Sequence, residues 1–403
     1  MPSPARQVFD TRSILSHLQS SGLAGITFAS FFPSLYHVQE YAFAVLLVAA
    51  LSFAWVEKIN PHARTRLDVP LMAFVAWVLF TVPFAIDPSY SFSEWRKVVA
   101  HLLVFYWAMF VLRVHAHHKP THRVLLAVVL GSLALSLFAL QDFVVRGGSW
   151  RDRQIRAAAP SSDYNWLTTY LVLVIPLLIG WLLTQSSRVA RALGSLSLAS
   201  SLLAQVAAYT RAGWVAHFIQ ALAFVLVVRR QRFILWFLAG AIFVGSALMA
   251  LSFVGFQKET TDPWTFSARV KTWRLGIQQV VEHPIVGIGF GNNTFSKVYA
   301  AEIEADKTKG PTEKVLPALH NTFAMILMGS GVPAVIFFVW IIVRALRELL
   351  AGVASGFPRS VPVMLRTAIA LAIIGFVIRN RFDYMFAGSL ASLFWILLAL
   401  GFS

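Results

Sequence analysis

Two runs, VPLMAFVAWVLFTVPFAI at 69–86 and FILWFLAGAIFVGSALMALSFVGF at 233–256, are apolar on every side of any helix they form. A helix packed on a core in water shows an apolar stripe and a polar back, so a helix apolar all round has lipid as its solvent. The pattern recurs along the chain: 58% of the 403 residues are hydrophobic and 13% charged. A window of about 20 residues marks about twelve spans, centred near 25, 47, 77, 105, 132, 174, 200, 220, 243, 330, 370 and 392. The chain therefore reads as an all-α polytopic membrane protein. Residues 1–256 are expected to hold the first nine transmembrane helices, 257–318 one large loop with amphipathic helices, and 319–403 the last three helices. The N-terminal MPSPARQVFDTRSILSHLQ lacks a short apolar core followed by a small-residue cleavage site, so the first span is expected to act as the insertion signal.

Orientation follows from charge. With the N-terminus in the cytoplasm, every inner turn carries Lys or Arg: EKINPHARTRLD, RVHAHHKPTHR, SSRVAR, VVRRQRF and VRALRELLAGVASGFPRS. That satisfies the positive-inside rule and places the 257–318 loop outside. The net charge of +16 is thus a property of membrane topology and implies no nucleic-acid partner. Cysteine is absent, which removes disulfides, thiolate nucleophiles and Cys-ligated zinc.

Arginines on the translocated side need a reason. Arg151, Arg153 and Arg156, with Arg146, lie in one outer turn, and Arg211 lies in another. Arg269 and Arg274 lie in the long loop, and Arg379 and Arg381 in the last outer turn. Any one of them can pair with a local acid such as Asp152 or Asp383, or with anionic lipid. Four outer turns with the same bias point instead to a phosphorylated, lipid-linked substrate, since a guanidinium fork matches phosphate oxygens bidentately.

Within the loop, SARVKTWRLGIQQVVEHP (267–284) puts Val270, Trp273, Ile277, Val280 and Val281 on one helical face, flanked by Arg269 and Arg274. Such a helix suits the membrane interface. In VGIGFGNNTF, Gly287, Gly289 and Gly291 follow a helix with no strand before them, so they read as a tight turn with close backbone approach and not as a dinucleotide site. HAHHK (115–119) reads as a solvated basic inner turn. No acidic cluster in the outer turns offers a metal site, and no P-loop is present, so no metal and no cofactor are expected.

LPALHNTFAMILMGSGVPAVIFF (316–338) sets His320 and Asn321 at the lip of a span. A histidine there is costly unless it faces protein or water, and its neutral imidazole can take a proton from a hydroxyl. Gly329 and Gly331 are expected to let another helix approach closely.

His320 and Asn321, then nine residues, then Gly331 resemble the signature of the O-antigen ligases. The chain has Ala334 where that pattern closes with Gly or another residue. TRAGW (210–214) resembles the family's Arg-containing outer turn, and SARVKTW leading into EHPIVGIGFGNN resembles its Arg-x-x-x-Trp and His-Pro-x-x-Gly-x-Gly block. The resemblance implies a GT-C-type glycosyltransferase fold in the bacterial inner membrane, with a periplasmic active site. The implied partners are an undecaprenyl-diphosphate-linked O-antigen donor, a lipid A-core oligosaccharide acceptor and membrane lipids. It further implies Arg211 and Arg269 as diphosphate clamps, and His320 as base with Asn321, Asp383 and Arg379 in support. Three readings stay open at this point: O-antigen ligase, the related polymerase or protein O-oligosaccharyltransferase, and a transporter of an anionic lipid-linked substrate.

Overall fold

The computed structural model describes residues 11–61, 64–115, 120–150, 155–160, 163–228, 263–306, 314–351, 353 and 361–403. The described residues form helices and no strand element: α1 (Thr11–Ala29), α2 (Tyr36–Glu57), α3 (Asp68–Thr81), α4 (Pro88–Val114), α5 (Pro120–Val145), α6 (Tyr164–Thr184), α7 (Arg188–Ala207), α8 (Arg211–Val228), α9 (Pro263–Glu282), α10 (Thr294–Val298), α11 (Ala300–Ala305), α12 (Thr322–Leu350), α13 (Val361–Arg379) and α14 (Gly388–Phe402). This is an all-α, multi-pass membrane protein. Seven of the described helices are long and apolar enough to cross a membrane, and three more, Asp68–Phe84, Arg211–Val227 and Gly388–Phe402, are apolar but shorter. Every expected span except the one near 243, which lies outside the described residues, coincides with a helix.

The helices begin where short polar side chains replace the missing intrahelical acceptors. Asp87 accepts from Tyr90 N–H ahead of Pro88, Asp163 from Asn165 N–H, and Asn321 from both Phe323 and Ala324 N–H. Between spans, small polar residues hold backbones close, as Ser132 with Ser197 (2.8 Å) and Ser136 with Ser201 (3.1 Å) join α5 to α7.

The turns sort into two sets that bond within themselves, as alternating spans require. Ile86 N–H donates to Ile288 (2.9 Å), Thr322 N–H to Asn380 (2.9 Å) and Ala157 N–H to Ala207 (2.9 Å), all among turns expected outside. Arg66 pairs with Glu348 at 3.0 Å, and Arg113 donates to the Arg64 and Phe402 carbonyls, among turns expected inside. His115 departs from the expected solvated turn: it is buried, bonded to Gln19 (2.7 Å), with its ring edge-on to Phe53.

The loop after α9 folds onto a break in α12. At Ser330 and Gly331 the helix leaves helical geometry, Gly331 at φ 74° and ψ −177°. The interruption frees the Met328 and Gly329 carbonyls, which accept from Ile288 and Gly289 N–H at 2.9 Å each, while Val332 N–H reaches Pro284 (2.9 Å). Backbone groups that the break would strand thus find partners, as irregular backbone inside a membrane protein requires. This corrects the expectation for Gly329 and Gly331: what they admit is loop backbone. A Cβ on Gly331 would lie 2.0 Å from the Ile285 carbonyl oxygen, and one on Gly287 would lie 2.5 Å from the Gly329 carbonyl carbon. A helix, α3, reaches the same break by side chains, through Trp77 and Thr81 on Ser330.

Helix α9 is amphipathic in a different way from the expected one. Trp273, Leu275 and Val280 pack on a small core of Ile288, Phe295, Tyr299, Val315, Leu319 and Met328. Ile277 and Val281 face outward, 60% and 73% exposed.

Candidate functional site

The site is assembled where α12 begins and α13 ends. Trp273 Nε1–H donates to the Leu319 carbonyl (2.8 Å), which pins the residue before His320 to α9. Asn321 then caps α12, and Thr322 ties that start to the turn after α13: its hydroxyl donates to Asn380 Oδ1 (2.8 Å), which also accepts from Met385 N–H. Between these anchors His320 adopts φ 48°. A non-glycine residue there costs on the order of 1–3 kcal/mol and persists only where its surroundings impose it.

The imposed geometry delivers the His320 side chain to Asp383, with Nδ1 2.9 Å from Oδ1. A carboxylate only accepts, so Nδ1 carries the proton and Nε2 is left as a bare acceptor, the tautomer a general base requires. His320 keeps 29% of its side chain exposed, so Nε2 chemistry has access from outside, whereas Asp383 is only 11% exposed. Burial alone would raise the Asp383 pKa; the hydrogen bond and charge of His320, the Arg379 guanidinium and the Tyr384 N–H outweigh it and hold it below the usual carboxylate value. The sign follows: the stability this pair contributes is present above the unfolded carboxylate pKa and is lost as pH falls through the depressed folded value.

Arg379 is buried to 1% exposure. One Nη2–H donates to Asn165 Oδ1 (2.7 Å), and the same nitrogen lies 3.9 Å from Asp383 Oδ2. Asp163 caps α6 close by; burial, and secondarily repulsion from Asp383, raise its pKa. Arg269 lies close enough to Arg379 to repel it. Both guanidiniums keep a buried Nε–H with no partner among the described residues. A buried donor without an acceptor is expensive, and two such donors on like charges are an arrangement that can take up an anion.

The other expected residues lie around this centre. Arg156 stacks on the ring of Tyr164 (4.6 Å), between Asp163 and Asn165 in sequence. Arg211 is exposed and opens α8; the preceding Thr210 bonds Thr168 at 2.5 Å. Arg274 is exposed on α9. Arg151 and Arg153 lie outside the described residues. Asn321 spends its side-chain oxygen on the helix cap. Sequence reasoning missed Asp163 and Asn165, although DYNWL shows the signal that singled out His320, polar residues at the lip of an apolar run.

Residues 196–339 match the family model described as O-antigen ligase. Over that stretch, about a third of its length, the chain is similar to the O-antigen ligases. The matched stretch spans Arg211, Arg269, Arg274, His320 and Asn321, and both partners of the loop–helix dock; Arg379 and Asp383 lie beyond it. Among curated proteins, none matches the chain. That similarity supports a glycosyltransferase function of the O-antigen ligase or polymerase type.

Proposed function

We propose that this protein moves O-antigen glycan from undecaprenyl diphosphate to a sugar hydroxyl of the lipid A-core oligosaccharide, at the periplasmic face of the bacterial inner membrane. The observation that carries the reading is the pair of unpartnered guanidinium N–H groups on Arg269 and Arg379, set beside a histidine whose Nε2 is free to accept a proton. In the transfer, the acceptor oxygen attacks the anomeric carbon from the side opposite the diphosphate and inverts its configuration. The carbon–oxygen bond to diphosphate breaks as the hydroxyl proton passes to His320 Nε2. Charge that develops on the departing diphosphate falls to Arg269, with Arg379, Arg211 and the outer arginines Arg156 and Arg274 completing the basic surround. Asp383 holds the imidazole in its productive tautomer and offsets the imidazolium.

The test is transfer by purified protein in nanodiscs, given polyprenyl-diphosphate glycan and either lipid A-core or a second glycan as acceptor. Glycan joined to core supports ligation, chain extension supports the polymerase reading, and relocation of donor with no new bond overturns the proposal. Activity is expected to persist in excess chelator without nucleotide, because arginine supplies the countercharge that a metal held by carboxylates otherwise would. Among the described residues no group of three His, Asp or Glu is placed to hold a metal ion. Loss of activity on chelation, restored by Mg²⁺ with the lipids shown dispersed, refutes the arginine clamp.

Arg269→Ala and Arg211→Ala are each expected to cut transfer by about 10²-fold or more, and lysine to restore little, since a point charge does not reproduce the fork. Full rescue of both positions by lysine contradicts bidentate binding.

A further inference from the structure

A cavity of about 310 Å³ lies between α6, α7, α8 and α13, separate from the residues above. Its wall is apolar, with Ile175, Ile179, Leu183, Leu202, Phe224 and Leu371 among the lining residues. At its rim Ile179, Leu183 and Leu202 are 45%, 62% and 46% exposed, so in a bilayer it opens toward lipid. Gln205, Trp214, His217, Gln220 and Thr367 bring polar groups to the wall, and two of them hold a buried acceptor with no partner among the described residues: Gln205 Oε1 and His217 Nε2.

That His217 Nε2 is an acceptor follows from a chain of hydrogen bonds that starts at a proline. Pro176 within α6 has no N–H for the carbonyl of Val172, one turn earlier. Gln220 Nε2 supplies the missing donor at 2.8 Å and spends its second hydrogen on the Leu371 carbonyl (3.0 Å). Gly375 is the residue that admits this amide, since a Cβ there would lie 2.1 Å from Gln220 Nε2. With both amide hydrogens used, Gln220 presents Oε1 to His217 Nδ1 (2.9 Å), so Nδ1 carries the proton and Nε2 is a bare lone pair. Gln205 is 0% exposed, and its amide nitrogen is turned to Thr210 Oγ1, leaving its oxygen in the cavity wall.

We infer that this cavity binds a lipid alcohol: an apolar chain from the bilayer carrying a hydroxyl that donates to these acceptors. Its volume falls at the lower end of small-ligand sites. An apolar chain alone leaves both acceptors desolvated, and a charged head group meets no counterion among the described lining residues. Occupancy bears on the outer face, because Gln205 bonds Thr210, the residue before Arg211.

The experiment is photolabelling of the wild-type protein in nanodiscs with a diazirine-bearing long-chain primary alcohol, and with the methyl ether of the same chain, which accepts but does not donate. The alcohol is expected to label peptides covering 175–183 and 214–224 roughly 5- to 10-fold more than the ether. Excess unlabelled dodecan-1-ol, but not dodecane, should displace it. His217→Phe and Gln205→Leu, checked for unchanged elution and melting, should bring alcohol labelling down to the ether's level. Equal labelling by the two probes, or none at these peptides, overturns the inference and leaves a cleft filled by water or by lipid chains without preference. The readout requires no glycan transfer, so it is independent of the reaction proposed above.

Discussion

His320→Ala is expected to lower glycan transfer by about 10²- to 10⁴-fold while donor binding stays nearly unchanged. The separation of the two effects follows from the geometry. The groups proposed to hold the diphosphate are Arg269 and Arg379, and Arg379 is held by Asn165 and Asp383, so it stays in place when the imidazole is removed. Asp383→Asn attacks the same step from behind, because an amide can donate to Nδ1 and so favour the tautomer that puts the proton on Nε2. That variant should retain donor binding and lose rate. Asp383 is held below the usual carboxylate range, so it stays ionised at every pH where the native enzyme would be assayed, and an acid limb above about pH 5 cannot arise from it. The measurements are single-turnover transfer and binding of labelled donor in nanodiscs, at matched protein. Near-normal turnover by His320→Ala removes the general-base assignment; equal loss of binding and rate makes His320 a donor-binding group instead.

Much of this arrangement was legible in the chain, for reasons that differ between elements. Lipid imposes a length and an all-round apolar surface on each crossing helix, so spans such as α5 and α13 were readable without partners. His320 was legible because a polar ring at the lip of an apolar run needs a function or a burial partner, and Arg379 because it sits on an outer turn. The contact that orients the His320 imidazole was not, since Asp383 lies 63 residues away and the Thr322–Asn380 bonds are among the contacts that bring the two together. Arg269 was reached through a family resemblance, yet its proximity to Arg379 depends on how α9 packs on Leu319. The dock between 284–291 and the α12 break was hidden most deeply. Its hydrogen bonds run between main-chain groups, and side-chain patterns do not report them. The glycines gave only the fact of close approach, without its partner.

That dock carries the second large prediction. Gly331→Ala is expected to undock the outer loop and abolish transfer, although position 331 lies one arm of α12 away from His320. At φ 74° and ψ −177° the backbone occupies a region essentially restricted to glycine, and the added Cβ would sit 2.0 Å from the Ile285 carbonyl oxygen and 2.4 Å from its carbon. Those atoms are backbone, fixed by the Val332–Pro284 and Ile288–Met328 bonds, so no side chain can swing aside to make room. The break must close or the loop must leave, and either carries α9 with it. Arg269 then separates from Arg379, and Trp273 from Leu319. Gly25→Ala is the control, since a Cβ there meets nothing within 4 Å. Because the chain has no cysteine, Ile288→Cys, 2% exposed in the native protein, reports the dock directly by its rate of thiol labelling in nanodiscs. Fast labelling in the Gly331→Ala background, with α-helical content retained, shows the loop released from a membrane core that still folds. Slow labelling together with native melting and full transfer would mean that the break in α12 relaxes at no cost and that the dock does not position the arginine.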